Sequence, residues 1–370
     1  MKNKFKVISI VLFLSVLIMT VSCRKQKAGW KGTIEEKNGI KIVKNPKKPM
    51  YGNDIFSAEE DLKIGEVEGE KNYMFSQIRY LAIDNDENIY VADVKETHVK
   101  VFDKNGEFLR VIGKAGQGPG EIGRIYGIQI TAKNELIVND GNQRKILHFS
   151  LGGEFIQSKD IGRIWPLRLY CDSNENYYAV NFILEPPDSR YELLKYDSDM
   201  NLIATIAKTP APDPTKPLKP FMPIFYCQIM ENDCLLYGYP ESYELQIFNP
   251  EGKVVKKIIR EYDPVPISEA EKEERRKDIR PGRKFEFPRY HSAFWYFKVD
   301  DEGRIFVQTW EKLDRGEGYF FDVFDSEGRY IAKIPLNIRP HLLKKGKIYT
   351  IEEDEEGYQF VKRYKATWRY

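Results

Sequence analysis

The chain has 370 residues, with 58 Lys and Arg against 56 Asp and Glu and a formal charge of +2. Such a balance argues against a general nucleic-acid binder, which needs a strongly basic face. Aromatic residues make up 13 % of the chain, Gly and Pro are plentiful, and long helical periods are scarce. That composition points to an all-β protein of many short strands.

Lys2, Lys4 and Lys6 precede an uncharged run, VISIVLFLSVLIMTVS, from Val7 to Ser22. A basic segment followed by an apolar one is the pattern of an export signal. Its apolar part is shorter than the roughly 20 residues that span a bilayer. The run ends at Cys23, and the small residue Ser22 stands directly before it. This junction resembles a bacterial lipobox, although Thr20 occupies a position usually held by an aliphatic residue. The resemblance implies a signal peptide over residues 1–22, lipid attachment at Cys23, and anchoring at the bacterial cell envelope, periplasmic or surface-facing. An ordinary signal peptide or an uncleaved signal anchor is the alternative. The 348 residues that follow Ser22 carry 55 basic and 56 acidic side chains. Their cysteines, Cys171, Cys227 and Cys234, are odd in number and dispersed. They form neither a disulfide framework nor a CxxC metal site, and are expected to be buried small apolar residues.

Residues 23–59 are rich in Lys and Gly and read as a tether with a lead-in strand near "GIKIVKN". The segment "EDLKIGEVEG", residues 60–69, reads as an unpaired outer strand. A repeat follows. One unit is "YLAIDNDENIYVADVKETHVKVFDKNGEFLRVIG", residues 80–113, and the next occupies residues 126–162. Each unit alternates four strands with polar turns. The third-to-fourth-strand hairpin is marked by pairs six residues apart: Phe102 and Phe108, Phe149 and Phe155, Tyr196 and Leu202, Phe248 and Val254, Phe324 and Tyr330. Asn, Asp and Gly between them supply the positive φ that tight hairpins need. Turns between first and second strands, at residues 84–88, 133–134, 172–176, 231–233, 300–303 and 344–346, give six units.

The sixth unit has only three strands, so the N-terminal segment is expected to supply the fourth and to remove the open edges. The expected architecture is therefore all-β: a six-bladed β-propeller of four-stranded antiparallel blades over residues 60–370, its ring closed by an N-terminal strand. Residues 263–292 interrupt the rhythm between blades four and five. There Ser268 and Glu271 form a capping box that opens a charged helix, "EAEKEERRKDIR", expected to lie solvated on the rim.

The first two units resemble NHL repeats. The matching residues are Val91-Ala92-Asp93 with Val99 to Phe102, and Val138-Asn139-Asp140 with Asn142, Arg144, Ile146 and Phe149. The loop "GKAGQGPGEIGRI", residues 113–125, is similar to the linker between NHL blades. That resemblance covers residues 78–162 and implies a six-bladed propeller. It also implies that Asp93 and Asp140 are structural, bonding backbone N–H groups of their loops. The chain after Cys23 is similar as a whole to uncharacterised propeller lipoproteins of bacterial envelopes, a likeness that implies no activity.

Catalytic signatures are sparse. The glycine-rich loop lacks a following helix and contains Pro119, so it reads as a turn rather than a phosphate cradle. GxSxG and HExxH are absent; His98 and His148 fall out of register with each other, whereas His291 and His341 start first strands, where a two-His site stays open. No metal or cofactor is expected. The strongest site signal is positional, because the starts of innermost strands face the channel of a propeller. There the chain places Arg79 and Tyr80, Arg124 and Tyr126, Trp165 and Arg168, Phe221 and Phe225, His291 and Trp295, and Arg339 and His341. Arginine forks suit carboxylate or phosphate and stack on rings. The expected function is therefore a non-enzymatic binding propeller. Besides the membrane, its partner is expected to be a protein, peptide, glycan or small anionic molecule. The alternatives are a propeller hydrolase or lyase, and an inert mouth whose arginines are neutralised by Glu121, Asp160 or Glu185.

Overall fold

The computed structural model describes residues 29–162, 166–313 and 317–370. The signal segment, Cys23 and Trp165 lie outside the described residues. Six antiparallel sheets form the molecule, at residues 78–112, 125–160, 166–210, 226–260, 297–336 and 342–368. Each meanders outward from an innermost strand. The innermost strands are Ile78–Ile83, Ile125–Ile130, Pro166–Cys171, Tyr226–Ile229, Phe297–Val299 and Leu342–Lys344. Each lies beside the next, and the sixth lies beside the first. The chain is thus a six-bladed β-propeller.

The burial of each strand follows its radius. Second strands are covered on both faces by neighbouring blades, so Ile89–Asp93 is buried throughout. Such strands read as continuous apolar runs rather than alternating ones. Outer strands face water, and Phe155–Asp160 is mostly exposed. One apolar cluster fills each blade interface. Tyr90 and Phe149, for example, belong to the cluster between blades one and two.

The hairpin signals have a direct physical basis. Every pair six residues apart is a cross-strand pair next to a register shift, as in Phe102 with Phe108 and Phe324 with Tyr330. The turn aspartates cap their own hairpins. Asp84 accepts the N–H groups of Asp86 and Asn88 at 2.9 and 2.8 Å. Asp172, Asp300, Asp103, Asp197, Asp325 and Asp354 repeat the arrangement. An Asx turn offers the backbone the hydrogen bonds that a strand cannot supply there.

The N-terminal segment departs from expectation in two ways. Strands β1 (Thr33–Lys37) and β2 (Ile40–Asn45) form a hairpin that adds to the outside of blade four, where β2 pairs in parallel with Val254–Arg260. Blade four therefore has six strands rather than four, and residues 33–45 are part of the propeller rather than a tether. Strand β3 spans Phe56–Ile64, not 60–69, and pairs antiparallel with Gln359–Trp368 as the outermost strand of blade six. It ends at Gly65, whose φ of +133° suits glycine. A Cβ there would also lie 2.8 Å from the Phe360 ring.

Between blades four and five, helix α1 (Glu269–Lys277) starts at the expected capping box. Ser268 Oγ accepts the Glu271 N–H, and the Glu271 carboxylate accepts the Ser268 N–H at 2.9 Å. None of the residues of α1 is buried.

Candidate functional site at the channel mouth

Asp93 and Asp140 end second strands in blades one and two and are completely buried. Asp140 accepts the N–H groups of Gly123, Arg124, Asn142 and Gln143 at 2.5 to 3.1 Å. Asp93 does the same for Ser76, Gln77, Lys95 and Glu96. Each carboxylate ties the start of an innermost strand to the loop after the second strand. Arg124 and the residues just before Arg79 are positioned in this way. The structural role implied for both aspartates is what the geometry shows.

Glutamines hold neighbouring innermost strands together. The Gln129 amide donates to Cys171 O at 2.7 Å, and its Oε1 accepts the Cys171 N–H at 3.0 Å. Gln228 makes the same pair of bonds with Val299, both at 3.2 Å. In each case a side chain stands in for a strand and fixes the spacing of adjacent blades.

Most of the expected mouth residues come together on this frame. Tyr80 of blade one lies within electrostatic reach of Arg79, Arg124, Tyr126 and Arg168. The Arg124 guanidinium stands 5.3 Å from the Tyr126 ring. Arg168 of blade three lies 4.9 Å from the Tyr226 ring of blade four. Arg339, ahead of blade six, sits 4.8 Å from the Trp295 ring and 5.3 Å from that of Tyr296. The Tyr226 and Tyr296 rings are 6.2 Å apart. Two guanidinium groups, Arg168 and Arg339, thus bracket the rings of Tyr226, Tyr296 and Trp295 on the blade three to six side of the channel. Trp165 lies outside the described residues.

The expected set missed Lys298, in the middle of the innermost strand of blade five. It lies within reach of both Arg168 and Arg339. Blades three and six face each other across the ring, so a group that feels both stands near the axis. Burial, and then the two guanidinium groups, hold its ammonium down to about 8. His341 neighbours Lys298 and Arg339, and burial together with these cations pushes it down to about 3. It is therefore a neutral imidazole at physiological pH.

Two of the expected histidines are separated. His291 is buried, stacks on Trp310 at 4.1 Å, and faces Glu271 of α1 with Nε2 3.5 Å from Oε1. It reaches the mouth only through the Trp310 and Trp295 stack. The expectation that its side chain faces the channel is corrected: the helix inserted before blade five covers it.

None of Arg79, Arg124, Arg168, Lys298 and Arg339 is paired with a carboxylate among the described residues. The acids weighed as neutralisers are engaged elsewhere. Glu121 accepts from Gln117 and Gly118 and pairs with Lys114, Asp160 accepts the Gly162 N–H, and Glu185 pairs with Arg190. The buried Tyr296 hydroxyl lies beside Arg339, whose guanidinium is 5.3 Å from the Tyr296 ring. Like charges gathered without carboxylates repel one another. Among the described residues no cluster of three or more His, Cys, Asp or Glu could hold a metal ion.

Fold and site together define a six-bladed β-propeller with a cationic, aromatic channel mouth. The chain belongs to the family described as a domain of unknown function, DUF4934, which matches residues 66–302. No curated protein matches it in sequence. Among solved structures it is similar to a candidate exported protein of Bacteroides fragilis. That likeness has 11 % identity and a TM-score of 0.56, and covers 89 % of this chain and 100 % of the other. It is also similar to a DUF4221 family member from Bacteroides vulgatus, at 11 % identity over 86 % of this chain and 100 % of that one, with a TM-score of 0.51. At such identities the likeness shows the propeller fold alone.

Proposed function

We propose that this protein is an exported, lipid-anchored propeller that binds a compact carboxylate- or phosphate-bearing molecule at its channel mouth. The observation that supports the reading best is the set of five cations, Arg79, Arg124, Arg168, Lys298 and Arg339, gathered with no carboxylate among them. Arg168 and Arg339 supply planar donor forks, Lys298 a point charge, and Trp295 and Tyr226 flat faces for an aromatic part of the ligand. Each charge-assisted hydrogen bond contributes roughly 1.5–3 kcal/mol, so two or three make a recognisable site without a metal. The test is retention on an array of carboxylated and phosphorylated small molecules. Wild-type protein is retained, and Arg168→Ala with Arg339→Ala is not. Retention that survives the double substitution moves the site elsewhere.

Export and anchoring rest on the basic and apolar start and on Ser22-Cys23, and the similarity to a candidate exported protein agrees with them. A Cys23→Ser protein should leave the membrane fraction, and its retention there at wild-type levels would refute the anchor. Blades one and two are read as NHL-type repeats on their Asp93 and Asp140 loops.

A further inference from the structure

We propose that the cavity between the outer hairpin of blade three and the segment leading into blade four is a second binding site, and that it takes a neutral, hydroxyl-bearing ring: a sugar residue. The cavity has a volume of about 510 Å³, within the range of small-molecule pockets. One wall is the open end of the hairpin formed by Arg190–Tyr196 and Leu202–Pro210. There Thr209 stands opposite Tyr191, and the Ser189 carbonyl accepts the Ala211 N–H at 3.0 Å. Alternation therefore puts Ser189, Tyr191, Thr209 and Ala211 on one face. On that face the Tyr191 ring meets Phe225, just ahead of blade four, at 6.3 Å.

The other wall comes from residues 212–222, and it is braced from outside. Asp213 Oδ1 accepts the Thr215 N–H at 2.8 Å and the Thr215 hydroxyl at 2.6 Å. Arg283, in the insertion before blade five, donates to the carbonyls of Asp213, Pro214 and Lys216. Leu218 joins the same insertion through its backbone: its N–H donates to Lys284 O and its carbonyl accepts the Glu286 N–H, both at 2.9 Å. Lys216 Nζ donates to Pro187 O at 2.7 Å and ties the two walls together.

Ser189, Thr209 and Asp213 line this cavity and are only 6 %, 5 % and 8 % exposed. Ser189 Oγ, Thr209 Oγ1 and Asp213 Oδ2 have no hydrogen-bond partner among the described residues, although Lys216 Nζ lies 3.8 Å from that carboxylate. Buried polar atoms are nearly always paired, so three around one cavity mark a place where a ligand supplies the bonds. The hydroxyls donate and accept, and the carboxylate accepts. Both hydroxyls turn among staggered positions about a single bond, so meeting a ligand needs no backbone movement. The charges in the walls leave little for an ion. Arg190 is held by Glu185 and Glu192, Lys208 by Glu192, and Lys216 by Asp213 and Pro187, while Lys219 is exposed. Much of the remaining lining is C–H surface, from Pro210, Pro212, Pro217, Leu218 and Met222. A sugar ring matches both halves of this cavity: it is uncharged, with hydroxyls along its edge and C–H groups on its faces.

The experiment titrates the full-length protein with the methyl glycosides of glucose, galactose, mannose and xylose, followed by saturation-transfer NMR. At least one is expected to bind. Ser189→Ala with Thr209→Val should weaken it roughly tenfold, the effect of one or two lost neutral hydrogen bonds. That double variant removes oxygens that have no partner in the chain, so its melting temperature should not fall. Met222→Trp, which fills the cavity, should abolish binding and checks the site independently if the double variant folds poorly. Arg168→Ala with Arg339→Ala should leave the affinity unchanged, so this site stands or falls apart from the channel mouth. Binding by none of the four glycosides overturns the assignment. Undiminished binding in the Ser189 and Thr209 double variant or in Met222→Trp places the sugar elsewhere and overturns it too. Tighter binding of methyl glucuronide than of methyl glucoside would show a site for anions instead of a neutral ring.

Discussion

The carboxylate of Asp140 accepts the backbone N–H of Arg124 at 3.1 Å, so a buried acid in one strand sets where a channel arginine begins. The same carboxylate holds Gly123, Asn142 and Gln143, and its side chain is fully enclosed. Asp140→Ala would leave several N–H groups without partners inside the blade. Each unsatisfied group costs about 1–3 kcal/mol, so a loss of about 2–4 kcal/mol is expected once partial rearrangement is allowed for. Denaturant unfolding measures it. An unchanged midpoint would mean that the loop is held by other contacts.

The glutamine clamps make a separable prediction. Gln129→Leu removes two bonds between blades two and three, and Gln228→Leu removes two between blades four and five. Each should cost about 1–3 kcal/mol, because the Cys171 or Val299 backbone groups lose their partners. The sites share no neighbours, so the double variant should show the sum of the single effects. Strong non-additivity in urea unfolding would show that the ring transmits strain between its blades.

Lys298 gives stability a particular pH dependence. Its folded value of about 8 lies below the ordinary lysine value of 10.5. Below pH 8 it is charged in both folded and unfolded chains, and the folded form bears the whole penalty. Between 8 and 10.5 the unfolded chain binds the extra proton, so stability rises with pH through that window and is complete above it. Lys298→Met should melt higher than wild type at pH 7, and the gap should close toward pH 10. Melting curves at the two pH values check this, and a gap independent of pH would assign the effect to packing alone.

Much of the fold was legible in the sequence because its determinants are local. A turn Asp, a Gly or Asn of positive φ, and two apolar residues six apart all act within one hairpin. The additions to the rim were not. β2 pairs with Val254–Arg260, more than two hundred residues away, and nothing near "GIKIVKN" encodes that partner. The mouth was legible where an arginine stands at a strand start. In blade five the inserted helix displaced that start, and the innermost strand is only Phe297–Val299. His291 and Trp295 therefore stood in for Lys298 in the reading by position. The cationic mouth itself depends on which acids pair elsewhere, and that is a property of the folded ring.

The junction of the two chain ends carries the last prediction. β3 lies along Gln359–Trp368, and Asp61 accepts from Arg363 Nε at 2.9 Å and Nη2 at 3.1 Å. Arg363 Nη1 also donates to Lys104 O at 2.6 Å, in the outer hairpin of blade one. Ile64, 2 % exposed, belongs to the apolar cluster that packs blade six on blade one. Removing residues 24–70 would therefore uncover an edge of blade six, an edge of blade four, and part of that interface. Open edges leave unpaired N–H and C=O groups and invite association. The deletion should lower the melting temperature, broaden the transition and promote aggregation. Asp61→Ala is the milder probe: it strips the carboxylate from a largely buried guanidinium and should cost about 1–3 kcal/mol. Arg363→Met in the Asp61→Ala background should recover part of that loss, since it removes the unpaired charge. A deletion protein that melts at the wild-type temperature as a cooperative monomer would show that the N-terminal strand does not hold the ring together.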